Sequence, residues 1–197
     1  MKTPSLFPAF IKLAGRPCVV VGAGSVAASK IPSLLDCGAN VTVVAPRAAE
    51  QVERLAAAGS IRWIPRKFAP ADLARAFLVV AATSDAAVNR AVFFAAHDRG
   101  ILCNSVDDPP NCDFYFPAVV RRGPLQIAIS TSGESPALAQ RIRRELEDSL
   151  GESVGPWLEE IGEIRREVLA SEPPSDDRRK FLHRLTYVDP ADLETRR

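Results

Sequence analysis

Three stretches of the chain carry residue types at spacings that can do chemistry. The first is Pro17-Cys18-Val19-Val20-Val21-Gly22-Ala23-Gly24-Ser25-Val26-Ala27. A β-branched apolar run meets Gly-x-Gly-x-x-Ala, and a helical pattern follows, which is the strand–turn–helix context of a dinucleotide fingerprint. Gly22 permits the tight turn, Gly24 lets backbone approach a pyrophosphate without a Cβ in the way, and Ala27 keeps the new helix close to the strand. The free N–H groups and positive end of that helix then meet the phosphates. The second stretch is Asp107-Asp108, directly after a strand-like run. A carboxylate there can accept a proton as hydride leaves a substrate, or the pair can form a solvated turn ahead of Pro109-Pro110. Adjacent acids point in different directions, so at most one serves.

The third stretch, Ser130-Thr131-Ser132 with Ser135, reads as a phosphate-binding loop, a nucleophile site or a capped turn. A serine nucleophile needs a positioned base. The only histidines are His97, inside a helical pattern, and His183, in the tail. Serine hydrolysis is therefore not expected, and two isolated histidines do not make a metal site. A dinucleotide-binding unit commonly places an acid about 20 residues after its fingerprint to hold the ribose hydroxyls. Here the second strand ends Val44-Ala45-Pro46-Arg47, with no acid. Arg47 can contact a 2′-phosphate and favour NADP, or stand free in solvent. The arginines at 121, 122, 141, 143 and 144 are solvated faces unless they border the site, where they suit a polyanionic substrate.

The elements that must position these residues follow from periodicity. Strands are expected at 17–21, 41–45, 60–64, 77–82 and 101–104, with helices at about 25–36, 48–58 and 86–99, and a short one at 70–76. The segment Phe7 to Leu13 is expected to pack its aromatics on a sheet edge. Strands alternating with helices imply parallel βαβ units with right-handed crossovers. Ligands lie beyond the carboxyl ends of such strands, so the turns at 22–26, 45–47, 83–85 and 104–108 should line one crevice. After Pro110 the pattern changes to two strands, 114–120 and 125–130, joined by Arg121-Arg122-Gly123-Pro124. A helix opened by Ser135-Pro136 comes next. From Gly151 the chain reads as polar helix, broken at Glu172-Pro173-Pro174-Ser175, with a charged tail over 189–197.

Composition narrows the class. The 197 residues are 47% apolar and carry a net charge of +1, which suits a folded domain with a smaller appendage and nothing that globally recruits nucleic acid or an anionic membrane. Four cysteines stand far apart with no Cys-x-x-Cys pair, so neither a zinc site nor a disulfide framework is expected. The longest apolar run, residues 76–83, is too short to span a bilayer. Residues 1–13 show no signal-peptide pattern, and a cytoplasmic location is expected.

Several further motifs accompany the fingerprint: Gly38-Ala39-Asn40-Val41-Thr42-Val43-Val44-Ala45-Pro46, Ala81-Ala82-Thr83-Ser84-Asp85 with Asn89, Cys103-Asn104-Ser105-Val106-Asp107, Phe116-Pro117-Ala118, and Leu125 through Ala139. Together with Phe7-Pro8, Lys30 and Arg178-Arg179-Lys180-Phe181-Leu182, they resemble the precorrin-2 dehydrogenase family, which includes the amino-terminal part of siroheme synthase. The resemblance implies an α/β fold: a Rossmann-type NAD-binding domain over 1–113, a dimerisation segment over 114–150 and a small helical domain over 151–197. It implies a homodimer that oxidises precorrin-2 to sirohydrochlorin with NAD, on the way to siroheme or cobalamin. Ser25, Val26, Pro46 and Arg47 would contact NAD, with Thr83 nearby. Asp107, and not Asp108, falls on the family's essential carboxylate. Ser130, Thr131 and Ser132 would sit close to the tetrapyrrole substrate, although Thr131 stands where some members carry serine. Some relatives also insert Fe²⁺ into sirohydrochlorin. The competing reading is an NAD(H)-sensing regulatory domain without catalysis.

Overall fold

A computed structural model describes residues 5–187, and the charged tail expected over 189–197 lies outside them. The described chain forms two compact units, divided between Phe116 and Pro117.

The first unit is a parallel sheet wrapped by helices. In chain order it comprises β1 (Pro17–Val21), α1 (Ser25–Asp36), β2 (Asn40–Val44), α2 (Glu50–Ala57), β3 (Arg62–Ile64), β4 (Leu78–Ala81), α3 (Ala86–His97) and β5 (Leu102–Ser105). The strand order is β3-β2-β1-β4-β5, and every pairing is parallel. The register pairs Val21 with both Val44 and Ala81, and Ala81 with Ser105. Four strands therefore end on one level, and the turns that leave them are forced to one rim of the sheet.

The strands are near-continuous apolar runs because helices cover both faces. Alternate residues go to opposite sides. Cys18, Val20, Val41, Val43 and Val80 pack with Ala27, Ala28, Ile31 and Leu34 of α1. Val19, Val21, Val79, Ala81 and Cys103 pack with Val92, Ala95 and Ala96 of α3. The third strand, β3, lies at an edge of the sheet. The expected helix at 70–76 is reduced to a 3₁₀ turn, Pro70–Leu73.

Other expectations fail outright. The aromatics of the leading segment do not pack on a sheet edge: Phe7 is 90% and Phe10 70% exposed. That segment leads into β1, the central strand, and not to the edge strands β3 and β5; only Leu13 of it reaches the core. Residues 114–117 are not strand. Pro117 has no N–H for a ladder, and Phe114 and Phe116 pack instead against the core beside α1. The Phe114 carbonyl accepts the Asn104 side-chain amide at 2.8 Å.

The second unit opens with an antiparallel hairpin of β6 (Ala118–Arg122) and β7 (Leu125–Ile129). Arg122 pairs with Leu125, so the connection is only Gly123-Pro124 rather than the four residues expected. The helices α4 (Pro136–Ser149), α5 (Val154–Ser171) and α6 (Asp176–Arg184) follow. As expected, Ser135 caps α4, its hydroxyl accepting from the Leu138 N–H at 3.2 Å with Pro136 at the first helical position. Arg122 binds the other end of that helix. Its guanidinium donates to the Leu150 carbonyl at 2.9 Å and the Glu147 carbonyl at 2.7 Å, satisfying oxygens that a helix leaves orphaned.

Candidate active site

The rim of the parallel sheet holds a crevice of about 920 Å³. Its walls come from residues 21–26, 44–47 and 82–85, with Val106 and Asp107 after β5. The turns expected to converge do so; Asn104 and Ser105 are buried beneath, leaving Val106 and Asp107 at the surface of that wall.

Gly22 and Gly24 serve different masters. Gly22 has φ +105°, and a Cβ there would stand 2.4 Å from the Ala82 carbonyl oxygen. The neighbouring strand end needs that glycine whether or not a ligand is bound. Gly24 has an ordinary φ of −76°, and nothing lies within 4 Å of where its Cβ would be. No internal constraint requires glycine there, so the open space is a cradle that a side chain would fill. No side chain caps α1, and its first turn carries no acid. Its N-terminal N–H groups and the positive end of its dipole, worth about half an elementary charge, are left for an anion. These features fit a pyrophosphate. Ser25 and Val26, in that first turn, are exposed to the crevice.

Pro46 and Arg47 leave β2 at the same rim, both exposed, while the Ala45 carbonyl below them accepts the Trp63 indole N–H at 3.0 Å. On the other side of β1, buried Asn89 holds the turn 83–85. Its Oδ1 accepts from the Thr83 hydroxyl at 2.7 Å and the Thr83 N–H at 3.1 Å, and its Nδ2 donates to the Thr83 carbonyl at 3.1 Å. Thr83 therefore shapes the wall with its hydroxyl already engaged. Asp85 caps α3, accepting the Ala87 N–H at 2.8 Å.

Asp107 and Asp108 part company. Asp107 is exposed, in the left-handed region at φ +59°, and lines the crevice. Among the described residues its carboxylate has no hydrogen-bond or ion-pair partner. Asp108 does not line the crevice; its carboxylate accepts the Asn111 side-chain amide at 2.7 Å within the 3₁₀ turn Pro109–Asn111. The left-handed backbone at Asp107 is an uncommon conformation that asparagine and aspartate tolerate best. It turns the two neighbouring side chains to different surroundings.

Ser130, Thr131 and Ser132 belong to the second unit. The Ser130 hydroxyl accepts from the Ser132 N–H at 3.1 Å, and the Thr131 hydroxyl from the Ser135 N–H at 3.1 Å. Ser132 sits at φ +54° and Gly133 at +87°. These residues shape a defined loop ahead of α4. Of the arginines considered, Arg122 serves α4, and Arg141 and Arg143 face Glu145 and Glu147 one turn on. Arg121 and Arg144 are exposed without a carboxylate partner among the described residues.

Cys18 and Cys103 are buried in the core. Burial first, then the nearby Asp113 and Cys112, pushes the Cys103 thiol up to about 12; burial and Cys37 push Cys18 to about 11. Among the described residues no cluster of three or more His, Cys, Asp or Glu could hold a metal ion. His97 is exposed on α3, stacked on Phe93. None of the helices described is long and apolar enough to cross a membrane.

Sequence reasoning missed Lys67, Phe68 and Pro70, which complete the wall beyond β3, and Val88 and Ala91 of α3. A signal existed: the segment after β3 leaves a parallel strand at its carboxyl end, like the turns that were named.

The NAD(P)-binding family model matches residues 9–118, and that for the central part of the sirohaem biosynthesis protein matches 122–149. The chain is 45% identical over 175 residues to a siroheme synthase of Neisseria meningitidis, and 44% identical over 174 residues to siroheme synthase 1 of Yersinia enterocolitica. Those alignments take in 89% and 88% of this chain but only 36% and 37% of the relatives' length. The solved structure of SirC, precorrin-2 dehydrogenase, superposes with a TM-score of 0.78 at 30% identity, over 91% of this chain and 89% of that one.

Proposed function

The chain belongs to the family of precorrin-2 dehydrogenases and siroheme synthases, and on that premise we propose that it oxidises precorrin-2 to sirohydrochlorin with NAD as acceptor. The observation that carries this reading is Asp107, a carboxylate without a partner among the described residues, at the wall of a crevice whose features fit a dinucleotide.

The oxidation removes one hydride and one proton from the macrocycle. Bound NAD would supply the hydride acceptor. The α1 N-terminus and the space over Gly24 would hold its pyrophosphate. An adenosine ribose lies at the end of β2 in such folds, which assigns Pro46 and Arg47 to that half and the turns after β4 and β5 to the nicotinamide. Asn89, by fixing Thr83 through Asp85, would keep that half of the wall rigid. Asp107 would take the proton as hydride leaves the substrate. Its exposure at the rim gives a large macrocycle access to the carboxylate.

The substrate carries eight carboxylates. Ser130, Thr131 and Ser132 would offer hydroxyls and the N–H groups of a left-handed loop to some of them. Arg121 and Arg144, exposed on the second unit, would pair with others. The exposed Leu6, Phe7, Phe10 and Ile11 support a homodimer in which this apolar leading segment is covered. Iron insertion would draw on the same chemistry, with Asp107 taking a pyrrole proton.

Anaerobic incubation of the protein with NAD and fresh precorrin-2, following NADH and sirohydrochlorin together, tests the reading. Equal, protein-dependent growth of both is expected. Nucleotide binding without turnover would overturn it in favour of a sensor. Supplying sirohydrochlorin and Fe²⁺ to the same preparation shows whether the carboxylate also serves metal insertion.

A further inference from the structure

The charges that line the crevice are segregated. Arg47 after β2 and Lys67 after β3 are its cations; Asp85 after β4 and Asp107 after β5 are its acids. Because the strand order is β3-β2-β1-β4-β5, both cations stand on one side of the pyrophosphate cradle over β1 and both acids on the other. The cationic half is the adenosine half. Glu50 and Glu53 open α2 nearby, but neither lines the crevice.

Lys67 is not on a free loop. The Arg66 guanidinium grips Asp72 through both terminal nitrogens, at 2.8 and 2.5 Å, and its Nη1 also donates to the Lys67 carbonyl at 3.0 Å. Asp72, whose side chain is 7% exposed, accepts the Ala69 N–H at 2.8 Å. Phe68 packs against the core beside α3. The backbone on either side of Lys67 is thus fixed by an ion pair and an aromatic anchor, while its ammonium has no carboxylate partner among the described residues. A site selective for an unphosphorylated ribose carries an acid that would repel a phosphate. Among the described residues, two cations and no acid line that half.

We propose that the adenosine half of the crevice takes a 2′-phosphate, with Lys67 and Arg47 as its ligands, so that the protein binds NADP alongside NAD. A dianionic phosphate between two cations gains charge-assisted hydrogen bonds that the ribose hydroxyl of NAD does not make. Arg66 and Asp72 are positioning residues that hold Lys67 in the wall. This inference rests on the dinucleotide reading of the crevice and deepens it.

Calorimetric titration of the full chain with NAD and with NADP at low salt is the test. NADP is expected to bind within about tenfold of NAD. Lys67→Gln should weaken NADP about five- to tenfold while leaving NAD within about twofold, the selectivity expected of a residue that meets only the phosphate. NADP affinity should also fall more steeply with salt than NAD affinity. NAD binding with NADP weaker by more than about tenfold overturns this proposal alone, as does an equal loss of both nucleotides in Lys67→Gln. If neither nucleotide binds, the dinucleotide reading itself fails, and this one with it.

Discussion

Asp107 and Asp108 are sequence neighbours with separate surroundings: Asp107 stands at the crevice wall without a partner among the described residues, and Asp108 is bonded to Asn111 at 2.7 Å inside its own turn. A left-handed residue at 107 separates them. One carboxylate faces the crevice and the other closes the turn beside it. Removing Asp108 should therefore loosen the turn, whereas removing Asp107 should leave the fold unchanged.

The two fingerprint glycines should respond to alanine with opposite signs. Gly22→Ala forces a Cβ into the Ala82 carbonyl and strains a positive φ, and should cost at least about 2 kcal/mol of stability in a denaturant titration. Gly24→Ala has an alanine-compatible backbone and open space around it. It should leave stability unchanged or raise it by up to about 1 kcal/mol. Nucleotide affinity should fall by at least about tenfold, because the new methyl occupies the phosphate cradle. Equal destabilisation by the two substitutions would contradict the assignment.

The Arg66–Asp72 pair makes an acid-side prediction. Hydrogen bonding from Arg66 holds the Asp72 carboxyl below its ordinary value of 3.8. A carboxyl whose folded pKa is lowered contributes stability that is fully present above the ordinary value and is lost as pH falls through the lowered one. Asp72→Asn should be less stable than the parent protein at neutral pH, and the gap should close as pH drops below 3.8. A gap independent of pH would show that the ionised carboxylate contributes nothing.

Thiol chemistry should report the core. Cys103, raised to about 12, and Cys18, raised to about 11, should resist an aromatic disulfide reagent in the native protein at pH 8 and react only on unfolding. Cys37, half-buried just beyond α1, should react well before either. Rapid labelling of all the thiols without denaturant would mean that the sheet opens readily.

The parallel sheet was legible because its strands are apolar runs punctuated by glycine and proline, and parallel order follows from the intervening helices. The crevice was legible for the same reason: once strands run parallel, their carboxyl ends share a rim. Lys67 and Phe68 were legible only in part: leaving β3 at its carboxyl end sends them to the same rim, but their place along it depends on the Arg66–Asp72 bond, a contact between side chains that no periodicity announces. The leading aromatics misled because their apolar character predicts burial, and among the described residues of a single chain nothing covers them. Residues 114–117 misled because aromatic residues that plug a core and aromatic residues in a strand have the same composition.

The most direct test of the account is the anaerobic oxidation rate of precorrin-2 by Asp107→Asn beside Asp108→Asn, with NAD affinity measured on both. The account predicts that Asp107→Asn binds NAD as the parent does and loses at least about a hundredfold in turnover, the range of a lost general base. Asp108→Asn should keep activity within about tenfold, its losses traceable to a looser turn. Full turnover by Asp107→Asn, or a larger loss in Asp108→Asn, would remove Asp107 from the chemistry.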